Sequence, residues 1–526
     1  MKKWIENIVW FDRKKGMRHL MLFFCVVCIL FIPGWRLKRQ DPVYEGNGEP
    51  ELIAVTRDGS IFLRWKNPLD KEFCGMELLI RSEEGEEKIG LEPSCMDYEF
   101  RDGIHGKLYS FELQAQFEGR EPGPVQKKSA LFLNYEKLPD LPLLNVTTAG
   151  FQEPDFSEAE RPEGCWGQTI TGNDYVKGML TLSRGGVPYI EEETEIRIRG
   201  NTSAFGDKKP YKIKLAQAED LLEREEPIYK SREWVLLDDA TLLRTVTGSR
   251  VAKQCGMEWQ PEYQFVNVMI NGDWKGCYLL IEAVSKGEGR LNIDSSGFII
   301  ENDVYWWNQD DVYFRTDRQI YEVGYTFKYP SSAEVSEADK ERIRSYMNDF
   351  ETALYEGEED YSDYIDLNSF AAWLLVHDIM GTADAGGANM YLYKETFSQD
   401  DPEYGKIKMG PVWDFGSAYE NGGIWSSIHT GPISDVFYFP KLLEQQDFRR
   451  EYRAVWDSVA DTIEADVLLY LEELYEEQGE ALQESRHLES VKTGEPAESV
   501  KGEICQVREW LDVRLPWLDR MKAGFR

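Results

Sequence analysis

The run from Asp384 to Gly416 constrains the fold more than any other part of this chain. It reads D-A-G-G-A-N-M-Y-L-Y-K from Asp384 to Lys394, and G-K-I-K-M-G-P-V-W-D-F-G from Gly405 to Gly416. The order is an acid, a glycine-containing loop, an asparagine that opens a strand, and a second strand that ends in another acid. An Asp before a Gly pair is commonly only a turn residue. The order of the whole run instead predicts two short strands whose polar ends converge on one cation, since Mg²⁺ prefers oxygen ligands.

Composition narrows the classes of partner. With 526 residues, the chain is long enough for two or more domains. Its net charge of −35 and pI of about 4.6 argue against nucleic acid as a partner. The His residues are scattered and no HExxH or CxxC motif occurs, so a dedicated zinc site is not expected.

The N-terminal segment predicts export. Basic residues dominate residues 1–19, which we expect to stay cytoplasmic, and an apolar run follows within residues 20–35. Basic residues in front of an apolar stretch direct the downstream chain across the membrane. Because no clear A-x-A cleavage site comes after the run, an uncleaved transmembrane signal-anchor is favoured over a cleaved signal peptide. We therefore expect a single-pass cell-membrane protein with an extracellular body, or a secreted protein if the signal is cleaved.

A small β-sandwich is predicted after a short polar stalk over residues 36–50. Residues 51–135 alternate polar and apolar positions in short strands separated by turns such as Asp58-Gly59. The lone Trp65, the N-P-L-D after it and the Y-x-F-x-L-x-A strand resemble a fibronectin type III module. We expect it to act as a spacer, and Cys74 and Cys95 within it could pair after export.

Residues 141–526 have the pattern of an α+β region. Strand and hairpin patterns are followed by a helix over Leu242–Cys255 and a tight N-G turn within Asn271–Gly276. Asp366 or Asn368 can cap a helix that runs through Met380 and ends at Gly381. Apolar stripes then predict packing helices near the C-terminus, with residues 484–503 as a mobile connection.

A basic strand could serve a phosphate ligand. Lys212 and Lys214 are two residues apart on a predicted strand, so both side chains face the same way. Gly200 and Gly206 let the preceding turn approach a ligand closely. A lysine on a rigid strand and backbone N–H groups in a turn are natural partners for a nucleotide triphosphate.

Several motifs, taken together, resemble the CotH family of spore-coat-protein-H-like atypical kinases, which occur in bacterial spore coats and surface proteins. The resemblance covers about residues 141 to 526. The matching stretches are L-P-L-L-N-V-T-T, I-R-I-R-G-N-T-S, K-K-P-Y-K-I-K-L, W-V-L-L-D-D-A-T-L-L-R-T, F-V-N-V-M-I-N-G-D-W-K-G-C-Y-L-L-I-E, F-K-Y-P, the D-x4-N loop and P-V-W-D-F-G.

The resemblance implies an atypical protein-kinase-like two-lobe fold, preceded by the sandwich. It also implies transfer of phosphate from ATP, with Mg²⁺ or Mn²⁺, to Ser or Thr of a protein at the cell surface or spore coat. Specific residues take implied roles: Asp384 is the catalytic acid, Asp414 and Asn389 hold the metal, Lys212 or Lys214 grips phosphate, and Arg199, Gly200 and Glu282 line the nucleotide site.

One departure from the family and two other functions remain open. Many family members have the sequence W-D-F-D, whereas this chain has Gly416 after Phe415. If the family's second acid is a metal ligand, the chain could be an inactive surface or coat protein that acts as a binding platform. A carbohydrate-active enzyme would suit the many Trp and acidic residues, but no isolated acid pair supports it.

Overall fold

Two sheets form a β-sandwich at the start of the part of the chain that the computed structural model describes. The described residues are 52–522 except 139, 166, 239–242, 309–311, 320–322, 358–359, 383–384, 388, 398–404 and 420–436. The strands are β1 (Ile53–Arg57), β2 (Ser60–Arg64), β3 (Phe73–Ser82), β4 (Gly85–Leu91), β5 (Asp97–Phe100), β6 (Lys107–Phe117) and β7 (Val125–Phe132). Their orders are β1-β2-β5 and β4-β3-β6-β7. Alternate side chains, such as Leu63, Leu78 and Phe111, fill one shared core.

A closed barrel comes after the sandwich. Its strands, with a short β9–β10 pair between the first two, are β8 (Leu143–Thr148), β9 (Ser157–Glu158), β10 (Ile170–Thr171), β11 (Val176–Arg184), β12 (Val187–Ile198), β13 (Tyr211–Glu219), β14 (Ser231–Leu237), β15 (Tyr263–Ile270) and β16 (Asp273–Glu282). The order around the barrel is β11-β12-β13-β14-β16-β15-β8, and β8 closes it by pairing parallel to β15. Ile196, Ile213 and Trp234 point into the apolar interior. Since side chains alternate along a strand, Lys212 and Lys214 lie on the outer face.

A five-stranded sheet and the helices make up the rest of the described chain, which we call the helical region. Its elements, in chain order, are α1 (Leu243–Gln254), β17 (Phe298–Asp303), β18 (Tyr313–Phe314), β19 (Gly324–Tyr329), α2 (Glu337–Glu356), α3 (Leu367–Met380), β20 (Met390–Lys394), β21 (Lys408–Met409), α4 (Phe439–Leu442), α5 (Gln446–Val459), α6 (Ile463–Thr493) and α7 (Val500–Lys522). The sheet order is β18-β19-β17-β20-β21. The α+β fold class is confirmed, and so is a β-rich region before the barrel.

Local sequence signals set several of these boundaries. The Asp366 side chain accepts a hydrogen bond from the Ser369 N–H and caps α3, and Gly381 ends that helix with a φ of 60°. Asn271 and Gly272 both have positive φ in the two-residue turn between β15 and β16, as the N-G pair predicts. The caps and the hairpin turn are therefore confirmed.

Two predictions about connections are wrong. Residues 484–503 are not a mobile connection, because α6 continues to Thr493, Gly494 ends it in the left-handed conformation, and α7 begins at Val500. The polar appearance of this stretch hides the fully buried Leu488 and the partly buried Val491, which belong to one apolar cluster. Cys74 and Cys95, which could have paired, are both free.

The sandwich packs directly on the barrel, and its role as a spacer stays a prediction. The Thr56 N–H donates to the Gly272 carbonyl over 2.9 Å, and Val55 packs so closely on Gly272 that a Cβ there would lie 2.2 Å from it. One small core joins the sandwich, barrel and α6, and it consists of Leu131, Leu133, Leu143, Met269, Trp274 and Leu488. This packing fixes the sandwich against the barrel.

The predicted membrane segment, residues 20–35, lies outside the described residues. Among the described helices between residues 52 and 522, none combines the length and the hydropathy that a membrane span requires.

Candidate functional site

Asn389 and Asp414 meet at the ends of two neighbouring strands. β20 and β21 are antiparallel partners, with Leu392 opposite Met409, and this pairing brings the residue before β20 close to the segment after β21. The Asn389 Nδ2 atom lies 3.4 Å from the Asp414 Oδ2 atom. Their φ values are 60° and 59°. A left-handed conformation at a residue other than Gly costs about 1 kcal/mol or more, and such strain is concentrated at functional sites.

The residues directly after Asp414 hold its carboxylate in place. The Gly416 N–H donates to Asp414 Oδ1 over 3.1 Å, and Arg244 Nη1 donates to the Gly416 carbonyl over 2.6 Å. Phe415 is buried and stacks on the His377 ring with centroids 5.3 Å apart. On its other side Phe415 touches α1 at Gly248, where a Cβ would lie 2.4 Å from the ring. Gly248 thus makes room for the side chain that anchors Asp414.

Glu301 and Lys328 connect Asn389 to the neighbouring strands. Glu301 on β17 accepts the Asn389 N–H over 3.0 Å through Oε1, and its Oε2 lies 2.8 Å from Lys328 Nζ on β19. The F-K-Y-P motif contains Lys328, but nothing in the sequence pairs it with an acid on another strand. Neither residue was predicted as part of the site.

Cationic side chains lie close together on the outer face of the barrel. Lys212 and Arg197 are direct cross-strand partners, and Lys212 Nζ lies 3.0 Å from Glu233 Oε2. Burial lowers the pKa of Lys212, the nearby Arg197 and Lys328 charges lower it further, and Glu233 opposes them. Like charges placed opposite each other destabilise a sheet. The Arg197 Nε atom is also buried without a hydrogen bond to any described residue. A face with these properties suits an anion.

Three other predicted residues flank this face. Lys214 Nζ lies 5.9 Å from the centre of the Tyr175 ring. The Arg199 guanidinium lies 5.6 Å from the ring centre of Trp413, the residue before Asp414. Gly200 has a φ of 92°, and a Cβ there would lie 2.3 Å from Ser203 Oγ, so the turn requires glycine.

Glu282 belongs to a different cluster. Its side chain is fully buried at the end of β16, where it lies 2.8 Å from Arg224 and 3.4 Å from Arg290 and accepts the Glu262 N–H over 3.0 Å. The two guanidinium groups neutralise the carboxylate, and the Glu262 N–H adds a third donor. A role for Glu282 in lining a nucleotide pocket stays a prediction.

Asp384 lies outside the described residues, so its role also stays a prediction.

Asp238, which the sequence analysis did not select, comes directly after β14. Burial raises its pKa to about 6, the Asp414 charge adds to this shift, and Lys208 and Arg199 oppose it. An acid directly after a buried strand was the sequence signal that could have identified it.

The described side chains include the types of donor that a metal ion and a phosphate chain would need. Asp414 and Asn389 offer the oxygen donors that Mg²⁺ takes, with few from protein and the rest from phosphate and water. Arg197, Lys212 and Lys328 would face a phosphate chain. Among the described residues, no group of three or more His, Cys, Asp or Glu side chains could hold a metal ion.

A comparison with protein families decides the assignment. A family model described as CotH kinase protein matches residues 196–518, which is more than half of the chain. The chain belongs to the CotH kinase family. The matched range contains Asn389, Asp414, Lys212 and Lys328, and family membership points to a kinase-like or coat protein. A search of curated proteins gave no match.

Several solved structures match a small share of this CotH family member. A computationally redesigned β-sandwich protein is 12% identical over 16% of this chain and 92% of its own, with a TM-score of 0.15. The fn3 domain of human collagen alpha-1(XX) chain is 9% identical over 17% of this chain and 89% of its own, with a TM-score of 0.14. Pectate lyase PelI from Erwinia chrysanthemi is 14% identical over 18% of this chain and 30% of its own, also at 0.14. These scores carry no functional argument.

Proposed function

We propose that this protein is an atypical protein kinase that transfers the γ-phosphoryl group of ATP to Ser or Thr of surface or coat proteins. The observation that carries the proposal is the contact of Asn389 with Asp414, two strained residues 25 positions apart that meet at 3.4 Å. Strain of this kind persists only where the surrounding structure enforces it. The anchoring of Phe415 between α1 and His377 supplies that enforcement.

Each residue has a defined task in this proposal. Asp414 and Asn389 would hold Mg²⁺ or Mn²⁺, and the bound ion neutralises charge on the phosphates. Lys212, Arg197 and Lys328 would bind phosphate oxygens, since phosphoryl transfer depends mainly on positioning and charge stabilisation. Asp384 would accept the proton of the acceptor hydroxyl. Arg199 and Gly200, in the turn after β12, would lie beside the phosphates. Glu282 would line the nucleotide pocket.

Transfer of labelled γ-phosphate from ATP tests the proposal. We expect Asp384→Ala and Asp414→Ala to abolish transfer to a protein acceptor, including the enzyme itself. Asp349→Ala is the matched control, because Asp349 is an exposed residue of α2. Equal transfer by all three variants would refute the proposal, and so would a wild-type protein that transfers nothing.

Gly416 favours a second candidate, an inactive binding platform. Many family members have Asp directly after this Phe, whereas this chain has Gly416. If that Asp is a metal ligand in those members, this chain lacks one ligand. A platform should bind no nucleotide. Calorimetry and thermal melting with ATP and Mg²⁺ separate the candidates, because a ligand of the native state must raise the melting temperature.

We further propose that the protein is exported and tethered to the membrane through residues 20–35, with a fibronectin type III-like module next to the membrane. The basic residues before the apolar run support this orientation, and the strand orders of the sandwich suit such a module. Protease added to intact cells should digest the body and spare residues 1–19. Full protection of the body would contradict export.

A further inference from the structure

The C-terminal end of α3 is tied to two other parts of the chain. The last four carbonyls of any helix have no partner within it and need donors from elsewhere. In α3 all four have one. His377 accepts from the Gly381 N–H (2.8 Å), Asp378 from Arg514 Nε (2.6 Å), Ile379 from Trp510 Nε1 (2.8 Å), and Met380 from the Tyr419 N–H (2.8 Å).

Two of these donors are side chains of α7. Arg514 is fully buried and Trp510 is 7% exposed. The indole of Trp510 also lies on Gly381, where a Cβ would come within 2.4 Å of the ring. Long polar side chains seldom enter a core without a partner. Here both reach across an interface to backbone carbonyls that no local group satisfies.

The same helix end also holds the segment that carries Asp414. Tyr419, five residues after Asp414, donates its N–H to Met380. Phe415, the residue next to Asp414, stacks on His377. The last turn of α3 therefore lies between α7 on one side and residues 414–419 on the other.

We propose that Trp510 and Arg514 are positioning residues that hold Asp414 by fixing the last turn of α3. The catalytic consequence rests on the proposed function, in which Asp414 is a metal ligand. A ligand whose backbone is strained needs such support, because small displacements of a site residue lower the rate strongly. The C-terminal helix is thus part of the site's framework.

Two variants remove the donors and retain most of the packing. Trp510→Phe deletes the indole N–H, and Arg514→Met keeps an unbranched side chain without any N–H donor. The matched control is Trp456→Phe, since Trp456 on α5 donates its indole N–H to Asp519 on α7 over 3.2 Å and not to a carbonyl of α3. If Trp510→Phe fails to fold, as thermal melting would reveal, Arg514→Met provides the same test.

Hydrogen exchange of the ligand-free protein measures the support directly. We expect the amides of Gly381 and Tyr419 to exchange about fivefold faster in both variants, as the loss of one hydrogen bond implies. The control should exchange as the wild type does. Unchanged exchange at Gly381 and Tyr419 would overturn the proposal, whether or not the protein transfers phosphate.

The Mg²⁺ dependence of phosphate transfer gives a second readout that a purely structural role would not move. The half-saturating Mg²⁺ concentration should rise about tenfold in the two variants and stay within about twofold in Trp456→Phe. An unchanged Mg²⁺ dependence would overturn the proposal. The two proposals can also fail separately. If the wild type transfers no phosphate but the variants exchange faster, the kinase function is refuted and the positioning of residues 414–419 remains supported.

Discussion

The barrel and the helical region differ in where most of their charged side chains lie, although Glu282 on β16 is also buried. The interior of the barrel is an apolar cluster that includes Ile196, Ile213 and Trp234, and its cations lie outside. The helical region instead buries charged or titratable groups, which include Glu351, His377, Asp378, Lys394 and Arg514. The difference teaches that the two regions serve the site in different ways. The barrel is a rigid support for surface charges, whereas the helical region positions Asn389 and Asp414 through buried polar contacts.

The largest expected effect on stability concerns the face of β13 that points into the barrel. Ile213→Ala removes a fully buried side chain, and we expect the free energy of unfolding to fall by about 3 kcal/mol. Specific activity of the folded fraction should not change, because Ile213 faces away from the site. Urea unfolding and an activity assay on folded protein check both statements. A large loss of specific activity would contradict the claim that the barrel interior contributes only to stability.

The opposite face of the same strand should respond in the opposite way. Lys212→Met should lower kcat/KM by roughly 100-fold, since a cation facing the phosphates would be lost. Lys214→Met is the control, because Lys214 lies beside Tyr175 while Lys212 lies within the electrostatic reach of Lys328 and Arg197. We expect it to stay within about fivefold of wild type. If Lys214→Met lowers kcat/KM more than Lys212→Met does, Lys214 is the lysine that binds phosphate.

The helical region should weaken as the pH falls. Burial lowers the pKa of His377 to about 3, from an ordinary value of 6.5, so His377 stays neutral in the native state while the unfolded chain takes up a proton. Its contribution to stability is present above pH 6.5 and is lost on acidification, by about 2 kcal/mol at pH 5.

His377→Gln tests this sign because glutamine does not titrate. Urea unfolding at pH 7 and pH 5 should show a smaller decrease for the variant than for the wild type. Parallel decreases would show that another group dominates this pH range.

The smallest expected effect concerns the departure at Gly416. A Cβ at this position would lie 3.3 Å from Asp414 Oδ1, a close contact that a small shift can relieve. Gly416→Asp should therefore be tolerated, and we expect it to lower the half-saturating Mg²⁺ concentration by about threefold through an added carboxylate. Gly416→Asn is the uncharged control. A higher half-saturating concentration in both variants would indicate that steric crowding at Asp414 outweighs the added charge.

Local signals in the sequence predicted local structure. The capping residue Asp366, the terminal Gly381 and the N-G turn each act within a few residues, and each appears at its predicted position. The apolar stripes on α6 and α7 identify buried faces for the same reason. The prediction for residues 484–503 failed because a single buried leucine, Leu488, does not stand out among polar neighbours.

Contacts between distant segments could not be predicted from the sequence. Glu301 reaches Asn389 across a sheet, and Trp510 reaches Ile379 from another helix, more than 80 positions away in both cases. No spacing rule relates such residues. The cross-strand pair of Arg197 and Lys212 depends on a register that alternation alone leaves open.

The way the barrel closes has a practical consequence for recombinant fragments. The recognisable family sequence begins at Ile196, inside β12, but β8 and β11 lie before it and complete the ring of strands. A fragment trimmed to the family match would leave β13 with a truncated neighbour and open the apolar interior to water. One trimmed to residue 141 would still uncover Met269 and Trp274, which the sandwich and α6 cover together. The smallest piece worth expressing therefore starts before β1, well upstream of the first family residue.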